Sequence, residues 1–177
     1  ICMRQLAIRP RTRAELATAL RQRGIADEVA TAVLERYDEV GIIDDAAFAR
    51  AWVSSRHHGR GLARRALASE LRQRGVDAET VGEALTELDS DTEATTARAL
   101  VERKLRLTSG KADPEAVFRR LVGMLARKGY PAGLAITVVR DAVAAQSAAA
   151  AAFAERVDPD ALADAVEDPD LEERRAD

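Results

Sequence analysis

The residues of this chain most able to do chemistry are its cations. Arg56, Arg60, Arg64, Arg65, Arg72 and Arg74 crowd one stretch, and Arg103, Lys104, Arg119 and Arg120 stand in another. Guanidinium and ammonium groups at near-turn spacing, as in Arg60 with Arg64, suit the holding of carboxylates or phosphates, which is binding rather than bond breaking. From residue 50 to 74 seven arginines face one acid, Glu70, and from 98 to 128 nine basic residues face three acids. The formal net charge of −3 hides this, because residues 75–97 hold seven acids and no base, and residues 141–177 hold eleven acids against three arginines. Alternation of sign along a chain points to a partner surface or to self-masking. Any single arginine reads as part of a solvated face; the cluster as a whole reads as a docking face for an anionic partner.

Catalytic chemistry finds little to use. His57 and His58 are the only histidines, and adjacent residues on a helix point about a hundred degrees apart, so they do not share a metal and read as polar residues at a helix end. Asp44 and Asp45 precede an apolar helical stripe, the place of a helix cap rather than of an acid catalyst. Gly59-Arg60-Gly61 is too short for a phosphate loop and lacks a strand before it. Cys2 has no histidine near it in sequence, and one cysteine makes no internal disulfide, which fits a reducing cytoplasm. We therefore assign no catalytic, metal or cofactor-binding residue and expect a non-enzyme.

The elements that must position these cations repeat. Gly24, Gly75 and Gly129 lie 51 and 54 residues apart, and each has a leucine four before it (Leu20, Leu71, Leu125) and another eight before it (Leu16, Leu67, Leu121). A basic residue precedes each glycine and Ile25, Val76 or Tyr130 follows it, the layout of a Schellman helix stop. A period of about fifty residues is the mark of stacked helical units. Scarce aromatics and a 32% share of charged residues favour helix over strand. No run approaches the roughly eighteen apolar residues of a membrane span.

Thr12 and Glu15 form a capping box for the helix that ends at Gly24, and a third helix begins near Asp27 with Val29, Val33, Leu34 and Tyr37 on one face. Asp44 caps the next helix, whose apolar face is Phe48, Trp52 and Val53, with Ile43 stapled onto Phe48; Gly59 and Gly61 end it. Asp77 caps a helix carrying Val81, Leu85 and Leu88. A long helix follows through Ala97, Leu100, Val101 and Leu105, then a polar loop at 108–111, then Asp113-Pro114 opening a helix through Val117, Phe118, Leu121 and Leu125. Pro131 starts the next, with Leu134, Val138 and Val139 inward. The chain opens at Ile1, so we expect a missing start and a cut first helix. The expected architecture is all-α, three tandem three-helix repeats of helix-turn-helix type in an extended curved array: repeat 1 over 1–43, repeat 2 over 44–89, repeat 3 over 90–146. Residues 147–177 read as an alanine-rich and then acidic tail, mobile beyond Val157. Leu20, Gly24, Phe48, Trp52, Leu71, Gly75, Leu125 and Gly129 are the structural positions.

Three-helix units also suggest readers of DNA, a reading that charge tests. A recognition helix carries Arg, Lys, Asn or Gln outward. The third helix of the first unit instead has Asp27, Glu28, Glu35, Asp38 and Glu39 against Arg36, and its equivalent in the second has Asp77, Glu79, Glu83 and Glu87 with no base. Such helices are repelled from a major groove.

The glycine-ended units, RTRAEL at 11–16, IIDDAAFARAWVSSR at 42–56 and the second LRQRGV together resemble the RecX family of bacterial recombination regulators. The resemblance covers roughly residues 1–144. It implies three tandem three-helix repeats and no catalytic site. It also implies a partner, the RecA recombinase filament on single-stranded DNA, whose ATP hydrolysis, strand exchange and coprotease activity such proteins inhibit during DNA repair and the SOS response. The long acidic tail and a looser third repeat depart from the family pattern. The expectation is a cytoplasmic monomer that binds RecA and has no membrane partner. Single- or double-stranded DNA stays open as a direct ligand, and a DNA-binding protein without a protein partner and a helical-repeat adaptor are the alternatives.

Overall fold

The structure, a computed structural model, describes residues 1–108 and 112–167. The end of the expected polar loop, 109–111, and the last acidic stretch, 168–177, lie outside the described residues. The described residues are all-helical, in three triplets and a pair. These are α1 (Cys2–Ile8), α2 (Arg13–Arg21) and α3 (Asp27–Glu39); α4 (Asp45–Arg60), α5 (Arg64–Gln73) and α6 (Ala78–Ala84); α7 (Ser90–Arg106), α8 (Pro114–Arg127) and α9 (Ala132–Ala144); and α10 (Ala148–Ala154) with α11 (Pro159–Glu167). The chain divides into two compact units. The first comprises Ile1–Arg60 and Arg65–Glu87, the second Gly61–Arg64 and the chain from Leu88 onward.

Local chemistry starts and stops these helices. Thr12 accepts from the Glu15 amide at 3.2 Å while the Glu15 carboxylate accepts from the Thr12 amide, closing the capping box at α2. Asp44, Asp77 and Asp113 each accept an amide proton three residues on, opening α4, α6 and α8. The three glycine stops are Schellman turns. Gly24, Gly75 and Gly129 have φ of +72°, +77° and +88°, and the amides of Ile25, Val76 and Tyr130 donate back to Leu20, Leu71 and Leu125.

In the first unit Leu16, Leu20, Ala30, Leu34 and Ile43 close a core with Cys2. Leu67, Leu71, Val76 and Val81 are likewise buried. The core of the second unit joins Val101, Leu105, Leu121, Leu125, Tyr130 and Val139, and Phe153 packs against it.

Several expectations need correction. Val29 is 55% exposed, and Ala30 takes the inward place beside Leu34. Gly59 is helical, so α4 runs on to Arg60 and breaks at Gly61, where φ is +63°. His57 lies in the last turn of α4, as expected, but is buried there. Beyond Ala144 the chain forms two further helices: Ser147 caps α10 through the Ala150 amide, and α11 occupies the start of the stretch expected to be mobile. Ala150 and Ala154 are buried, and α11 packs against α9, so small side chains allow helices to close there.

Candidate partner-binding surfaces

In the first unit the indole of Trp52 organises the arginines around it. The Arg74 Cζ lies 3.9 Å from its ring centroid and that of Arg56 lies 4.3 Å away, both within cation–π range. Phe48 stacks on the same indole at 5.6 Å with planes 17° apart. The indole N–H donates to Glu70 at 2.8 Å, and Glu70 pairs with Arg56 at 3.5 Å. Arg74 also reaches Glu15, the capping-box residue, at 2.5 Å, and Arg9 meets Glu15 at 3.3 Å. Thr12, fully buried, donates its hydroxyl proton to the Arg74 carbonyl at 2.6 Å. A helix start near the N-terminus, the end of α5 and the middle of α4 are thus tied at one place. Arg56 and Arg74 have their charge met inside the fold.

Arg65 and Arg72, on the same α5, are exposed and have no hydrogen-bond or ion-pair partner among the described residues. Arg60, the last residue of α4, is exposed and engaged in the fold. Asp45, at the start of α4, accepts from the Arg13 amide at 2.9 Å, and burial pushes its carboxyl above the usual value. Of the two histidines, His58 pairs with the Ser54 carbonyl at 2.8 Å, and the rings meet edge to face. No cluster of three or more metal-ligating side chains occurs among the described residues.

In the second unit Arg64 is an anchor. Its amide donates to the Glu93 carboxylate at 2.8 Å and its guanidinium to the Leu88 carbonyl at 2.7 Å. Glu93 is only 6% exposed, so a buried anion caps the helix that Arg64 begins, where the helix dipole favours negative charge. Nearby, the Tyr130 hydroxyl donates to the Gly61 carbonyl at 3.0 Å and the Ala63 amide to the Lys128 carbonyl at 2.9 Å. Burial, with the negative charge of Glu93 second, pushes the Tyr130 hydroxyl up to about 12.

The cations of α7 and α8 are differently placed. Arg103 and Lys104 are exposed near the end of α7 and have no partner among the described residues. Arg119 makes a solvent-facing pair with Glu115 at 3.4 Å, and Arg120 donates to the Thr108 hydroxyl at 3.0 Å. Of the ten cations, four have no side-chain hydrogen-bond or ion-pair partner among the described residues: Arg65, Arg72, Arg103 and Lys104.

The residues that sequence reading passes over are the acids that hold these segments in place. Glu93 stands four residues before Ala97 and eight before Val101, in line with an apolar stripe, and that was the available signal. Glu70, the one acid among seven arginines, carried a similar signal. Glu15 offered only its capping role.

Family models match the chain in three consecutive parts: the first three-helix domain of RecX over residues 1–36, the second over 44–85 and the third over 91–139. The chain is 60% identical over 146 residues to regulatory protein RecX of Thermobifida fusca (strain YX), covering 82% of this chain and 78% of that protein. Against regulatory protein RecX of Streptomyces coelicolor (strain ATCC BAA-471 / A3(2) / M145) it is 59% identical over 143 residues, covering 81% and 76%. A crystal structure of RecX from Lactobacillus salivarius superposes with a TM-score of 0.69 at 17% identity, over 78% of this chain and 90% of that one, a likeness of fold. Three domain matches in order, an all-helical fold and identity at this level give one conclusion: the chain belongs to the RecX family.

Proposed function

We propose that this chain is a negative regulator of RecA, binding the RecA nucleoprotein filament and inhibiting its ATPase, strand exchange and coprotease activities in DNA repair and recombination. It would act in the cytoplasm as a monomer, without catalysis of its own. The observation that carries the reading is the set of exposed cations without a side-chain partner among the described residues, Arg65 and Arg72 on α5 and Arg103 and Lys104 on α7. They are supplied by a chain whose relatives are named regulatory proteins. Such a ligand shifts a filament only as far as it prefers one of its states. Docked on acidic filament surface or on exposed DNA phosphate, these cations hold protomers in an inactive arrangement or block further assembly.

The test is RecA's single-stranded-DNA-dependent ATPase with this protein added well below the recombinase concentration. Strong inhibition is expected, because blocked assembly does not need one regulator per protomer. No inhibition even at excess and in low salt would overturn the reading. Steep salt dependence of binding to naked DNA would then favour a DNA-binding protein without an obligatory protein partner.

A further inference from the structure

Beside the Gly75 turn, residues of α2 and the end of α5 enclose an open cleft of about 540 Å3 within the first unit. Its walls carry Arg11, Arg72 and Arg74, the glutamines Gln5, Gln22 and Gln73, and a single acid, Glu15. Glu15 is already committed to Arg74 and Arg9, which leaves Arg11 and Arg72 to set the sign of the cleft. The Nε of Arg11 is buried and has no hydrogen-bond acceptor, the one such side-chain atom among the described residues. Arg11 has no side-chain hydrogen-bond or ion-pair partner among the described residues, so its guanidinium, like that of Arg72, is left to an arriving acceptor.

We propose that this cleft binds an acidic segment of a partner protein, a carboxylate lying against Arg11 and Arg72 and the peptide backbone meeting the glutamine amides. The proposal rests on the reading that this chain docks on another protein. Amides donate and accept, and a peptide backbone does both, whereas a phosphodiester chain offers acceptors alone. The fork of a guanidinium matches one carboxylate in two parallel bonds, which a single concave site can use. The cleft is also well held, with Thr12 and Arg74 fastening its two sides together.

The test uses the full chain, a fluorescein-labelled peptide of Asp, Glu and Gly, and an oligothymidylate of equal charge, read by anisotropy. The wild-type protein should bind the peptide, and Arg11→Gln with Arg72→Gln should weaken it about tenfold or more, the loss of a bidentate contact. Arg36→Gln, at a surface pair with Glu39 outside the cleft walls, should leave peptide binding unchanged. Arg72→Gln alone, at an exposed position, keeps the test decisive if the pair disturbs folding, which circular dichroism reads. No peptide binding by the wild type, or equal binding by the variants, overturns the proposal. So does loss of oligothymidylate binding in these variants with peptide binding intact. The RecA ATPase measured alongside separates the two readings. Inhibition by a wild type that does not bind the peptide sinks the cleft alone, and Arg11-dependent peptide binding without inhibition sinks the recombinase reading alone.

Discussion

The arginines of α4 and α5 and the cations at the end of α7 look alike in sequence, dense and nearly unopposed, yet the fold uses them differently. Around Trp52 the charges of Arg56 and Arg74 are met by Glu70, Glu15 and the indole face. At the end of α7, Arg103 and Lys104 meet nothing among the described residues. Charge density along a chain therefore says where cations are, while a few acids distant in sequence decide which are spent on the fold. Glu15 reaches Arg74 across 59 residues, a distance over which no local pattern speaks.

The largest effect that would break this comparison lies at the turn that presents Arg74. Gly75 has a positive φ, and a Cβ there would collide with the Cβ of Ala14, whereas a Cβ at Gly24 would meet nothing within 4 Å. Gly75→Ala should cost about 3 kcal/mol, the left-handed strain plus overpacking, against about 1 kcal/mol for Gly24→Ala. Equal losses in urea titrations would mean that the tie between α2 and α5 does not constrain the turn. Next, Arg74→Gln should cost about 1–2 kcal/mol, losing an ion pair and a cation–π contact at a partly covered site. Arg103→Gln with Lys104→Gln should stay within about 0.5 kcal/mol of the wild type. Similar melting temperatures for the two variants would erase the distinction between spent and free cations.

The second unit has its own fixed point, with a smaller expected effect. The Tyr130 hydroxyl is a donor to Gly61, and its pKa is raised from 10.0 to about 12. The unfolded chain therefore loses this proton first. The stabilisation is complete below pH 10.0 and falls away as the pH rises toward about 12. Tyr130→Phe should cost about 1 kcal/mol near neutrality and flatten that alkaline decline. An unchanged decline in the phenylalanine variant would assign it to other groups.

Much of the architecture was legible because it is written locally. The glycine stops, the caps at Thr12, Asp44, Asp77 and Asp113, and the leucines at four-residue spacing each need only one turn of neighbours to be recognised. The failures are also physical. Val29 and Ala30 are adjacent, and a helical stripe can rotate by one residue when a smaller side chain packs better. Past Ala144 an alanine run gives no periodic signal, because alanines can face core or solvent, and α10 was hidden for that reason. The cations were legible as clusters, but which of them the fold engages was not. Ten cations were in view, and sorting them required Glu15 and Glu70 in three dimensions.

The central claim is that the free cations, and not those stacked on Trp52, meet the partner. The direct measurement is inhibition of RecA's single-stranded-DNA-dependent ATPase by the wild-type chain and by Arg103→Glu with Lys104→Glu, with helicity and melting temperature recorded for both. The account predicts inhibition by the wild type at substoichiometric amounts, and clearly weaker inhibition by the charge-reversed variant at unchanged helicity and stability. Equal inhibition by the two proteins would contradict it.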